Sequence, residues 1–533
     1  MNHTFFTQSL RRAAAFSLVT VLTVTSCRDL TDLQPADAFS ETTAFTSAAR
    51  VELAAIGMYN AAQSGSYAGN QVRGYPFGAA AIQQSDMRGE DMLNQALFYQ
   101  ITNENTVTPV TANNVWMWNT LFALVNQCNI LIEGAQQAGT GNLITAEQSN
   151  GYQAEARFMR ALAYHELLVN FARPFLDNNG ANPGLPIRDF AVNSPATVEK
   201  GLATGRATVA DTYKFVLADL DYAETNLPVT RSGNLRVTRP VRGAAIALKT
   251  RVKLHQGDWA GVIAEGNKII SAAAPFTSPI SGFSLTPAPN GPFTNGFSSE
   301  AVFSIENSAQ DNPGVNGALA SMLGNPTLGG RGLVRVSPVA FNLAGWPMND
   351  LRRTTLLNRD TRSWYSQKYT DYANRSDNAP ILRYAEVLLN VAEAIARTTT
   401  GVDARALALL GAVRNRAVVD ATDRYTAASF TDNKALVRAI LTERRIEFLG
   451  EGRRWADIHR LARDPDFAVA GGGIPAKMAF GNATFATYTG DPTTPLVRSI
   501  PAVPYADFRF LWPIPADETA QNPTLAAQQN PGY

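Results

Sequence analysis

Apolar residues recur at helical spacing along most of this chain. The clearest run is Ala154–Phe171, where Tyr164, Leu167, Leu168 and Phe171 fall at offsets 0, +3, +4 and +7 and Pro174 stops the helix. The same period predicts a first helix over Phe45–Ala62, with Val51, Ala54, Ala55, Met58 and Ala62 on one face. A second covers Asn113–Gln136, carrying Trp116, Trp118, Leu121, Phe122, Val125 and Ile132, and another covers Thr208–Asn226. Val241, Ala244, Ala245, Leu248 and Val252 share a face up to His255. Gly257 then ends that helix, and Asp258 can cap the next, from Trp259 to about Ala272. Helix returns at Arg383–Ala396, with a partner over Asp403–Arg416, and again from Lys434, where Gly450 and Gly452 separate two segments. Paired helices with small residues at their crossings point to tetratricopeptide-like units, although the spacing is too irregular to define a repeat.

The period fails in two long stretches. Ser64–Val110 is rich in Gly, Asn and Gln and carries Tyr67, Tyr75, Phe77 and Tyr99. Pro275–Ala379 contains one predicted strand, Ala301–Ile305, and the aromatic residues Phe293, Phe297, Trp346, Trp364, Tyr365 and Tyr369. So long a non-helical stretch in a helical protein reads as a lobe laid over a scaffold, and such loops commonly carry function. The expected division is a scaffold over about 45–274 and 380–470, a lobe over about 275–379, and a proline-stiffened tail over 505–533 running extended across the body.

Charge changes the picture near the C-terminus. Val437, Ile440, Leu441, Arg444 and Phe448 form one stripe, so Arg444 needs a carboxylate; Glu443, Glu447 and Glu451 are the nearest in sequence. Carboxylates beside arginines can serve as an acid/base site, but neighbouring guanidiniums lower carboxylate pKa values, which opposes a general acid and favours a scaffold role. Across the 533 residues, 46 Lys+Arg balance 45 Asp+Glu, and 45% of residues are hydrophobic. Nothing in that balance points to nucleic acid. His3, His165, His255 and His459 stand far apart in the sequence, and Cys128 lies in an apolar run. No metal site or cofactor is expected.

Residues 1–26 combine Arg11-Arg12 with an apolar run of about a dozen residues, short of the ~20 that span a bilayer, and read as a signal peptide. The run ends Val24-Thr-Ser-Cys27, small residues before a cysteine, which resembles a lipobox. A diacylglyceryl group on Cys27 would supply two acyl chains, enough for stable anchoring, with 27–44 as a lipidated tether.

Several stretches carry a further resemblance. Glu443-Arg-Arg-Ile-Glu-Phe-Leu-Gly-Glu-Gly-Arg-Arg-Trp-Ala-Asp457, the Ala154–Phe175 segment, Arg383-Tyr-Ala-Glu-Val-Leu-Leu-Asn-Val-Ala-Glu-Ala394, Val413-Arg-Asn-Arg-Ala417 and the ending Pro513-Ile-Pro through Asn530-Pro-Gly-Tyr533 resemble, in order, motifs of the SusD/RagB family of outer-membrane nutrient-binding lipoproteins. Cys27 and the polar stretch to Pro35 resemble that family's opening. The resemblance implies a mainly α fold of about four tetratricopeptide-like pairs with an irregular lobe bearing a few short strands. It also implies a palmitate-bearing lipoprotein on the outer membrane, facing the cell exterior. Such a protein captures an oligosaccharide, or less commonly a peptide, for a SusC-like TonB-dependent transporter.

Capture of a sugar needs aromatic faces for its C–H groups and polar side chains for its hydroxyls. Tyr67, Tyr75, Phe77, Trp346, Trp364 and Tyr365, aromatic residues in polar loops, are the expected ligand contacts. Two other classes stay open: a lipid-anchored glycan hydrolase, which G-x-S-x-G, H-E-x-x-H or P-loop patterns do not support here, and a helical-repeat adaptor that binds only the transporter.

Overall fold

The computed structural model describes residues 44–65 and 73–533. The leader, Cys27 with its tether, and Tyr67 lie outside the described residues. The chain is mainly α-helical. Helix α1 (Ala48–Ser64) buries Val51, Ala55, Met58 and Ala62 and ends at Gly65, whose φ of 57° is left-handed. The stretch expected to lack helix contains α2 (Ala79–Arg88), strand β1 (Met92–Asn94) and α3 (Leu97–Glu104). Helix α2 buries Gln83, Gln84, Asp86 and Arg88 together with Ala79, Ala80, Ile82 and Met87. Polar side chains on its inward face erase the apolar period that would have marked it.

Helices α4 (Ala112–Thr140) and α5 (Ala146–Phe171) pack along each other, and α5 opens with a reciprocal capping box between Thr145 and Gln148. Strands β2 (Pro183–Pro186) and β3 (Arg206–Thr208) pair antiparallel ahead of α6 (Val209–Asn226), which Thr208 caps. Next come α7 (Arg242–Gln256), ended by Gly257 at φ 72°, and α8 (Trp259–Ile269), where the Gly261 amide donates to Asp258 at 2.9 Å.

The lobe contributes β4 (Ala301–Ile305), β5 (Val334–Val336), β6 (Leu357–Arg359), β7 (Trp364–Ser366) and β8 (Ala379–Arg383). These are the few short strands that the resemblance implied, beyond the one at Ala301–Ile305 that the residues themselves marked. Each pairing is two-stranded and antiparallel: β1 with β5, β4 with β8, and β6 with β7. Strand β8 runs directly into α9 (Tyr384–Thr398), followed by α10 (Ala404–Arg414), α11 (Asn433–Glu447) and α12 (Arg454–Leu461). From α4 to α9 each helix packs on the next, and α9 also receives α10 and α11, giving the tetratricopeptide-like stack. One apolar core runs from α1 through this stack and into the lobe, where Val302, Phe303, Val334 and Phe341 join it.

The glutamates of the α11 segment join the lobe to the stack. Glu443 accepts from Arg352 at 2.5 Å and Arg414 at 3.0 Å, and Glu447 accepts from Arg416 at 2.7 Å and Arg383 at 3.0 Å. Glu451 accepts from Lys368 at 2.5 Å. Burial opposes the charge on Glu447, but Arg416, Arg383 and Arg352 overcome it and hold that carboxylate well below its ordinary range. These glutamates are not the partners of Arg444, contrary to the sequence expectation. Arg444 donates to Asn390 at 2.5 Å and Asp457 at 3.2 Å. One residue along a helix turns the side chain by about 100°, so Arg444 looks toward α9 and α12 while Glu443 and Glu447 look toward the lobe.

The tail also departs from expectation. Phe510–Pro515 crosses the body, with the Trp512 amide donating to Asn170 O at 3.1 Å, but Ala516–Gln521 and Pro523–Ala527 are short helices. Asn522 caps the second, accepting from Leu525 N at 3.0 Å, and Pro523 occupies its first turn. Pro after Asn starts a helix here, where the proline content had suggested extension.

Candidate functional site

Most of the aromatic residues expected to meet ligand are packing residues. Tyr75, Phe77, Trp346 and Tyr365 are 2%, 4%, 4% and 0% exposed, which corrects the expectation that they stand open in polar loops. Tyr75 accepts a hydrogen bond from Gln84 and meets Trp116 edge-on at 6.2 Å. The Tyr365 hydroxyl donates to Asp360 at 2.8 Å. Trp364 is half-buried and stacks on Phe341 at 5.1 Å. The physical reason is general: loops with little regular structure are held to a core by their largest apolar side chains.

An open cavity of about 450 Å³ lies instead between α1, the Leu235–Arg239 turn and the segment leaving β4. Glu52, Ile56, Tyr59, Asn60 and Gln63 line it from α1, at offsets 0, +4, +7, +8 and +11. They form the flank of α1 beside its buried stripe, and Gln63 is itself buried. Leu235, Thr238 and Arg239 line a second side, and Ile305, Glu306, Ser308 and Asp311 a third. Sequence reasoning missed this site because it looked for aromatic rings in loops. The signal was a mixed polar and aromatic stripe on a helix face that core packing does not need.

The lining is held in place by charge-assisted bonds. Arg239 donates to Glu52 at 2.5 Å and 3.3 Å, and Tyr152 donates to the same carboxylate at 2.8 Å. Tyr59 donates its hydroxyl proton to Glu155 at 2.6 Å, and Arg231 also donates to Glu155 at 2.6 Å. Burial, reinforced by Glu155, pushes the Tyr59 phenol well above its usual pKa, so it stays neutral. Gln63 donates to the carbonyls of Glu306 at 3.0 Å and Asp311 at 3.1 Å, which leaves its buried Oε1 without a donor. An orphan acceptor of this kind is satisfied when a hydroxyl or water approaches. The site thus presents apolar walls at Ile56, Tyr59 and Leu235 beside fixed acceptors and one guanidinium, an arrangement suited to a polyhydroxylated molecule.

Gln63 also stands just before the stretch 66–72, and Arg73 just after it. The Arg73 guanidinium lies 4.7 Å from the ring centroids of both Phe98 and Trp116.

The histidines are closer in space than in sequence. His165 and His255 meet with ring centroids 4.6 Å apart inside the stack, and both are buried. Among the described residues no group of three or more His, Cys, Asp or Glu side chains is arranged to hold a metal ion. Cys128 is buried, and that burial pushes its thiol well above its usual pKa.

Comparison with known proteins agrees with this architecture. Residues 347–533 match the family described as the SusD family, and residues 34–254 match one described as starch-binding associating with outer membrane. A SusD-like protein P2 of Formosa agariphila is 23% identical over 564 residues, covering 97% of this chain and 98% of that protein. A SusD superfamily protein from Bacteroides fragilis has 25% identity and a TM-score of 0.72, over 90% of this chain and 99% of its own. Surface glycan-binding protein A from Bacteroides fluxus shares the fold at a TM-score of 0.65 with 21% identity, over 91% of this chain and 100% of its own.

Proposed function

Because this chain belongs to the SusD/RagB family, we propose that it is a cell-surface lipoprotein that binds an oligosaccharide in the cavity beside α1 and passes it to a TonB-dependent transporter. Peptide is the less favoured cargo. The observation that carries this reading is the cavity itself: about 450 Å³, with Tyr59, Ile56 and Leu235 forming apolar walls beside Glu52, Asn60, Gln63 and Arg239. Sugars bind by such a combination of C–H contact and hydroxyl hydrogen bonds. Relatives support it, since one solved neighbour is a laminarin-binding SusD-like protein and another a surface glycan-binding protein.

Binding without catalysis also fits the electrostatics. Glu52 is tied to Arg239, and the phenol of Tyr59 is held neutral. Both oxygens of Glu52 are engaged by Arg239, and Tyr152 donates to one of them, so this carboxylate braces the cavity wall. Anchoring would come from acyl chains on Cys27, with the short tether holding the body at the outer-membrane surface. Titration calorimetry of the mature protein against a panel of neutral oligosaccharides and peptides tests the reading, with chromatography of the ligand afterwards. Heat with a glycan that elutes unchanged supports it; shortened products would make the protein a hydrolase instead.

A further inference from the structure

The cavity beside α1 carries more acid than base. Three carboxylates line it, Glu52, Glu306 and Asp311, against one guanidinium, Arg239. Behind the wall stand Glu155 and Arg231, one of each sign, paired at 2.6 Å. Arg239 is taken up by Glu52 at 2.5 Å and lies 3.7 Å from Glu155. Once these pairs are formed, Glu306 and Asp311 are left over. Both are exposed, and among the described residues only their main-chain carbonyls, not their carboxylates, accept hydrogen bonds. Two other arginines on the same elements do not redress this. Arg236 is directed to the carbonyls of Phe297 and Ser298 at 2.6 and 3.1 Å, and Arg50 lines a separate groove with Gln127 and Ile130.

The segment that bears these two acids is fixed through its main chain. One Gln63 amide nitrogen reaches the carbonyls of both Glu306 and Asp311, so the two residues are neighbours in space. The Asn307 amide donates to Asn378 Oδ1 at 3.0 Å, its side chain donates to the Asp377 carbonyl at 2.8 Å, and Asn312 donates to the Ser308 carbonyl at 2.9 Å. A loop held in this way does not need its acidic side chains for its own support, and they meet a ligand already in place. The hydrogen-bonding character of the wall points in the same direction. Its donors are committed: Tyr59 to Glu155, Thr238 to the Asn234 carbonyl at 3.3 Å, Arg239 to Glu52, and the Gln63 amide to the two carbonyls. Gln63 is 7% exposed and lines the cavity with an Oε1 that receives no donor. Asn60 adds one amide, donor and acceptor alike. What the wall offers a ligand is therefore mostly acceptors and negative charge.

A hydroxyl group both donates and accepts, whereas an ammonium group carries three donors, no acceptor and a positive charge. We propose that this cavity prefers an oligosaccharide with free amines, a 2-amino-2-deoxy sugar whose ammonium group lies beside Glu306 and Asp311, over the same sugar with its amines acetylated. The assignment rests on the cavity being the glycan site. The ring lies against Tyr59 and Ile56, which serve any sugar, and the two acids add the choice of charge. Exposed ion pairs are individually weak, so the amine selects among glycans and is not the main source of affinity. The same carboxylates repel a glycan that carries an acid of its own.

Calorimetry of the mature protein at about pH 6, where a sugar amine is mostly protonated, tests the proposal with four hexamers: β-1,4-linked glucosamine, its fully N-acetylated form, maltohexaose and hexalysine. The glucosamine hexamer should bind about three- to tenfold more tightly than the acetylated one, and raising the ionic strength should shrink that advantage. The double variant Glu306→Gln, Asp311→Asn keeps the carbonyls that Gln63 holds. It should bring the two affinities within about twofold of each other at an unchanged melting temperature. The proposal is overturned if the free-amine hexamer binds no more tightly than the acetylated one, or if its advantage survives the double substitution. Hexalysine bound more tightly than the glucosamine hexamer, and released by the same substitutions, would also overturn it and assign the site to a basic peptide. A neutral hexamer bound by the parent and lost in Asn60→Arg would then leave the cavity a glycan site without the charge preference, whereas no binding by any saccharide would remove both readings.

Discussion

Arg383, the last residue of β8, donates from Nε and Nη2 to the two carboxylate oxygens of Glu451, both at 2.8 Å. Glu451 sits between Gly450 and Gly452, at φ 80° and 71°, in the turn that joins α11 to α12. This bidentate pair fastens the strand-bearing lobe to the helical stack, and Arg383 also donates to Glu300 at 2.6 Å. Arg383→Met should therefore strand buried carboxylates and destabilise the protein by about 3–5 kcal/mol. Denaturant unfolding checks this, with a loss several times larger than the small one expected on breaking an exposed pair such as Lys434–Asp466.

Trp346→Ala should lower the melting temperature by several degrees. The side chain is buried against Phe341 and Arg353, and removing a buried tryptophan costs about 3–5 kcal/mol. Trp364→Ala, at a half-buried ring, should cost less. Thermal unfolding of the two variants side by side gives the comparison, and equal shifts would contradict the burial described here.

Acidification should destabilise the fold well before the surface carboxylates titrate. Burial lowers His165 and His459 to about 3 and, together with the neighbouring His165, holds His255 well below its ordinary range, while the unfolded chain binds these protons near pH 6.5. Stability carried by a depressed histidine is present above the unfolded pKa and falls as pH drops below it. Asp86 acts in the opposite sense: burial and Asp91 raise it to about 7, so its contribution grows on acidification from 7 toward 4. Three histidines against one aspartate leave a net uptake of about two protons on unfolding between pH 6 and 4. Melting temperature measured from pH 8 to 4 should fall steadily below about pH 6.5, and a flat profile would contradict it.

Cys27→Ala should move the protein from the membrane fraction to the soluble fraction, because the anchor proposed at that residue supplies the only acyl chains in this account. Immunoblotting of fractionated cells reads this out directly.

The stack was legible because its helices keep a strict apolar period: Tyr164, Leu167, Leu168 and Phe171 are all buried, and β4 spans the predicted Ala301–Ile305. Helix α2 was not, since Gln83, Gln84, Asp86 and Arg88 point inward and the partners of Asp86 and Arg88 come from distant segments, as with Arg88 donating to Phe510 O at 2.9 Å. The pairing of Arg444 with Asn390 was hidden for the same reason. For the candidate site, residue type misled. An aromatic residue in a loop looks like a binding platform, yet Tyr365 and Trp346 serve the core, whereas Tyr59 lies on a regular helix whose flank lines the cavity.

The central claim concerns the cavity beside α1, and Asn60 offers direct access to it. Asn60 is exposed on α1, so an arginine there fills the cavity without disturbing the buried face of that helix. Calorimetric titration of the mature protein and its Asn60→Arg variant with neutral oligosaccharides should show a glycan bound by the first and at least tenfold more weakly by the second, at equal melting temperatures. Equal affinity in the two proteins would contradict the account.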